Sequence, residues 1–86
     1  MYHRRMTITA SQCRAARGLL GISQGDLAGS SGVGLRTIAG FESEKTRPMN
    51  ANLTAVRAAF EAAGVIFIAE NGNGPGVRLK GGNASK

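Results

Sequence analysis

The sequence predicts a mainly α-helical domain of four short helices followed by a C-terminal β-hairpin. Two patterns predict it. Between Thr9 and Ala63, apolar residues recur at three- and four-residue spacing in stretches bounded by capping residues or glycines. Beyond Gly64 the period changes. Val65, Ile66, Phe67 and Ile68 are β-branched or aromatic, residues 71–76 are turn material, and Val77, Arg78, Leu79 and Lys80 alternate apolar and basic. With 86 residues the chain supports one domain, which buries only about 60–65% of its unfolded surface and needs an economical core.

Thr9 or Ser11 can cap the first helix, along which Cys13, Ala16 and Leu20 share a face at i, i+3 and i+7, and Gly21 ends it. Ser23 is the N-cap candidate of the second helix, which turns Leu27 and Ala28 inward. Asp26 in its first turn suits the helix dipole. A turn of Ser30, Ser31, Gly32, Val33 and Gly34 leads into a third helix over residues 35–43, with Ile38 and Phe41 inward. Residues 45–48 are a loop. Asn50 or Asn52 can cap a fourth helix to Ala63, with Leu53, Val56, Phe60 and Ala63 in one apolar stripe and Gly64 as its stop. The chain thus divides into a flexible basic arm (1–8), a helical domain (9–64), a β-hairpin (65–80) and a disordered Gly, Asn and Ser-rich tail (81–86).

Eleven Lys and Arg against five Asp and Glu give a formal charge of +6, and the pI is near 10.8, which points to a polyanionic partner. The longest apolar run, residues 65–69, is far short of a membrane span, and residues 1–6 lack the apolar stretch of a secretory signal; a soluble cytoplasmic protein is expected. Cys13 is the only cysteine and reads as a buried small hydrophobe; with one distant His3 it makes no metal set. No cofactor is expected. Gly72, Gly74 and Gly76 are followed by neither the Lys-Ser/Thr pair nor the helix of a phosphate-binding loop, and Glu42 and Glu44 read as structural, so no catalytic set is present and an enzyme is not expected.

Two short helices joined by a tight turn have the layout in which the first lies across the DNA backbone and the second enters the major groove. The residues Ile22, Ser23, Gln24, Leu27 and Ala28, then Gly32 and Val33, Thr37 and Ile38, Phe41 and Glu42, and Arg47 and Pro48 resemble the phage-repressor-like helix-turn-helix family, often called XRE or Cro/repressor-like. The resemblance covers roughly residues 11–65. Residues 53–80 further resemble a compact bacterial subgroup in which the fourth helix runs into a strand, a Gly-Pro-Gly turn and a basic strand. It implies a phage-repressor-like helix-turn-helix domain over 9–64.

The resemblance also implies roles. Leu35, Arg36, Ala39 and Gly40 occupy the base-facing positions of the recognition helix, and Thr37 approaches a phosphate. Gln24 matches a position that hydrogen-bonds phosphate or orients a recognition-helix side chain. Arg17 and Glu42 match a structural ion pair, with Asp26 as a competing partner for Arg17. Arg36 is the outward side chain able to bind guanine O6 and N7 together. Leu35 can press a thymine methyl or cover the protein's own core. Gly40 costs about 1 kcal/mol within a helix, which fits either close approach to DNA or tolerance.

Lys45, Thr46 and Arg47, with Arg14 on the first helix, are placed for phosphate contact. Neutralising four to six phosphates gives a logarithmic salt slope of roughly −4 to −5 per subunit. The run 65–68 is apolar on both faces. Either the hairpin packs Val65, Phe67, Val77 or Leu79 on the helices and pairs through Ile66 and Ile68 with a second copy, or it packs wholly on its own domain. The expected function is a sequence-specific double-stranded DNA-binding regulator. No domain is available for contacting polymerase, so a repressor is expected, acting on the nucleoid as a homodimer at a near-palindromic site. The alternative is an antitoxin or adaptor that uses the same fold mainly to bind a protein partner.

Overall fold

The structure, a computed structural model, describes residues 8–69, 72 and 74–81. It contains α1 (Ala10–Leu20), α2 (Gln24–Ser31), α3 (Leu35–Glu42), α4 (Asn50–Ala62), β1 (Val65–Ile68) and β2 (Gly76–Leu79). The arm expected over 1–8 and the tail expected over 81–86 lie outside the described residues except at their inner ends. There one correction is needed: Ile8 is no part of an arm but is buried in the core, with Ala10 two residues on beside it in the same apolar cluster.

The first two helices begin with reciprocal caps. Thr9 Oγ1 accepts from the Gln12 amide while Gln12 Oε1 accepts from the Thr9 amide, both at 3.0 Å, and Ser23 and Asp26 do the same for α2. Both helices end on a glycine in the left-handed region, Gly21 at φ 68° and Gly32 at φ 76°. Ser30 and Ser31, expected in the turn, instead finish α2. Ser30 Oγ donates to the Leu27 carbonyl and Ser31 Oγ accepts from the Val33 amide, so both hydroxyls serve the helix end. The turn is therefore Gly32, Val33 and Gly34. Neither Asn50 nor Asn52 caps α4. The N-cap is Met49, with no side-chain bond, and the asparagines already lie inside the first turn.

Cys13, Ala16, Leu27, Val33, Ile38, Phe41, Leu53, Val56, Phe60 and Val65 form one core, each large side chain contributing about 1.5–3 kcal/mol of burial. Leu53, Val56 and Phe60 carry the α4 stripe as expected. Ala63 drops out because the helix ends at Ala62, leaving Ala63 an exposed C-cap.

The strands pair antiparallel, Val65 opposite Leu79, Ile66 opposite Arg78, Phe67 opposite Val77 and Ile68 opposite Gly76. β2 starts one residue earlier than the alternation suggested and stops at Leu79; Lys80 lies just outside, its amide donating to the Gly64 carbonyl at the hairpin base. The pleat sends Val65, Phe67, Val77 and Leu79 to the helices, where Phe60 and Phe67 meet edge to face at 5.9 Å. The Arg57 guanidinium lies 5.1 Å from the centre of the Phe67 ring.

Candidate nucleic-acid interface

α3 is amphipathic in the way a presented helix must be. Ile38, Phe41 and Glu42 are buried, while Leu35 is 51% exposed and Arg36 is exposed beside it. Of the two uses open to Leu35, covering the core is excluded by that exposure. Thr37, Ala39 and Gly40 are half-buried.

The inner end of α3 is fixed through Glu42. Among the described residues, four donors reach its carboxylate. Arg17 Nε bonds Oε2 at 2.8 Å and Nη2 bonds Oε1 at 2.7 Å, Gln24 Nε2 bonds Oε1 at 3.0 Å, and the Cys13 thiol bonds Oε2 at 3.1 Å. Arg14 donates to the Glu42 carbonyl and to Ser11 Oγ. Burial pushes the Glu42 carboxyl up, but the hydrogen bonds from Arg17, Gln24 and Cys13 and the Arg17 charge outweigh it and hold the group down at about 2. Burial, together with the hydrogen bond to Glu42, pushes the Cys13 thiol far above its ordinary range. The carboxylate therefore stays charged and bonded to α1 and to the first residue of α2.

This geometry assigns several residues that the sequence left open. Arg17 pairs with Glu42 and not with Asp26, which is occupied capping α2. Gln24 reaches the Glu42 side chain at the end of α3, the geometry of the second of its two implied uses. Arg14 spends part of its guanidinium on the end of α3 and lies 3.8 Å from Glu44, with its side chain 44% exposed. Cys13 is buried as expected, but it is a hydrogen-bond donor as well as an apolar filler.

Past α3, Glu44 adopts φ 64°, and the chain folds back so that the amides of Lys45 and Thr46 both donate to the Gly40 carbonyl. A Cβ on Gly40 would stand 2.6 Å from Thr46 Oγ1. A side chain at residue 40 would therefore displace the Thr46 hydroxyl, a consequence within the protein that neither alternative read from the sequence included. Lys45, Thr46 and Arg47 are exposed and line an open hollow of about 500 Å³ against Thr9 and Ala10 at the start of α1.

Gln12 has a role the sequence reading did not anticipate. Buried at 6% exposure, its Nε2 donates to the Ile68 carbonyl at 3.2 Å and the Gly76 carbonyl at 3.0 Å, tying α1 to the turn end of the hairpin. The Thr-x-x-Gln capping pattern was visible at residues 9–12; the long-range bonds had no sequence signal. On the outer hairpin face Ile68 is 37% exposed and Ile66 half-buried. No helix among the described residues is long and apolar enough to cross a membrane, and none of their His, Cys, Asp and Glu side chains group as a metal site.

Two short helices across a three-residue turn, the second held from behind and bare in front, define a helix-turn-helix protein. The family model described as helix-turn-helix matches residues 14–62, more than half of the chain. The chain belongs to the XRE-type helix-turn-helix family, and it is a DNA-binding regulator by class. Comparison with curated proteins gives no relative.

Proposed function

We propose that the chain is a sequence-specific transcriptional repressor that lays α3 in the major groove of double-stranded DNA. The observation that carries this reading is the division of α3 into a locked inner face, with Glu42 at its centre, and an exposed outer edge headed by Leu35 and Arg36. Arg36 and Leu35 read base edges, and Ala39 and Gly40 complete the base-facing edge of the helix. Lys45, Arg47, Thr37 and the exposed part of Arg14 face phosphates. Gln24, already bonded to Glu42, supports the helix from behind.

The reading extends to a homodimer. Ile66 and Ile68 stand on the hairpin face turned away from the helices, and a twofold pairing there sets two copies of α3 about 34 Å apart on a near-palindromic site. Such a protein works in the cytoplasm, on the nucleoid.

Selection from random duplexes tests binding, preference, palindromy and spacing together. The expected product is a paired motif with half-site centres about ten base pairs apart and binding that weakens steeply with salt. Recovery of unselected sequence, together with tight binding to a protein encoded beside it, would instead establish an antitoxin or adaptor.

A further inference from the structure

The outer edge of α3 has a gap at residue 40, and a side chain from another element fills it. Gly40 is four residues after Arg36, so it lies one turn further along the same face. The space its Cβ would need is occupied by Thr46, with Oγ1 at 2.6 Å, Cγ2 at 3.6 Å and Cβ at 3.7 Å. The placement is held by backbone. Lys45 and Thr46 amides bond the Gly40 carbonyl at 2.9 and 3.3 Å, Ser43 Oγ bonds the same carbonyl at 3.2 Å, and Glu44 at φ 64° makes the return possible. Thr46 is nevertheless exposed.

We propose that Thr46 is a specificity-determining residue: its side chain stands in for the missing side chain of residue 40 and reads a base pair beside the one read by Arg36. The inference rests on the major-groove reading of α3 and replaces a phosphate role for Thr46 within it. A helical turn advances about 5.4 Å and a base pair about 3.4 Å, so the two contacts fall within one or two base pairs of each other. The hydroxyl offers one donor and two acceptor lone pairs to a base edge, and the methyl suits a thymine methyl. Residue 40 must be glycine for this to work, since even an alanine there displaces the hydroxyl.

The test uses the full chain, the duplex selected by the wild type, and every single-base-pair variant of that duplex, with Arg36→Ala marking the Arg36 position. Thr46→Val keeps the branched shape and removes the hydroxyl. It is expected to lower preference about five- to tenfold at one position within two base pairs of the Arg36 position and nowhere else. Thr46→Ser retains the preference. Gly40→Ala reduces it at the same position while circular dichroism shows the helices intact. Undiminished preference in Thr46→Val overturns the proposal, as does an equal loss on every duplex, which marks a phosphate contact. If the wild type selects no duplex, the DNA reading falls first and takes this proposal with it.

Discussion

The Cys13 thiol donates to Glu42 Oε2 at 3.1 Å, joining the middle of α1 to the last residue of α3 through a fully buried sulfur. Burial and the adjoining carboxylate both oppose the thiolate, which is the species that reacts with thiol reagents. At pH 8 the folded protein should therefore resist a disulfide reagent over the time in which the urea-unfolded chain is labelled completely. Equal rates in the two states would rule out the buried, protonated thiol.

Glu42 makes stability depend on acid. Its carboxyl is held at about 2 in the folded protein against an ordinary 4.5, so the unfolded chain takes up the proton first as pH falls. The stabilisation is complete above about pH 4.5 and is lost progressively between there and about pH 2. Urea midpoints measured across this window should decline in the wild type. In Glu42→Gln that part of the decline should be absent, from a lower starting stability. An unchanged pH profile in the variant would remove Glu42 from the account.

Gln12→Ala removes both bonds to the hairpin carbonyls and half of the α1 cap. The expected cost is about 1–3 kcal/mol in global stability. Amide exchange should accelerate in the strands and at Thr9 more than in α4. Uniform acceleration would mean that the side chain does not specifically anchor the hairpin.

Arg36 and the basic loop should separate in binding experiments. Arg36→Ala is expected to relax preference at one base pair by about 1–3 kcal/mol, with little change in salt dependence. Lys45→Ala or Arg47→Ala should weaken all duplexes alike and reduce the magnitude of the logarithmic salt slope by about 1. A sequence-dependent effect of Lys45→Ala, measured by fluorescence anisotropy, would move that side chain from phosphate to base.

What was legible in the sequence was what local chemistry decides. Thr9, Ser23, Gly21 and Gly32 mark helix ends because caps and left-handed glycines act within four residues, and the alternation of Val65, Phe67, Val77 and Leu79 identifies the inner hairpin face. The errors fell where a second choice was close. Ser30 and Ser31 suit a turn or a helix end equally, and Asn50 and Asn52 are good caps in the wrong place. Ile8 looked like part of an arm because a lone apolar residue has no period. The Gln12 bridge and the Gly40 to Thr46 contact were illegible because each depends on how separate elements meet.

The Gln12 bridge bears on the order of folding. Its bonds to Ile68 and Gly76 span 56 and 64 residues, whereas the helix-turn-helix is built from neighbours. Closing the longer loops carries the greater entropy loss, so the helices can assemble before the hairpin is secured across α1. Stopped-flow refolding should then show Gln12→Ala speeding unfolding much more than it slows folding, the signature of a contact formed after the rate-limiting step.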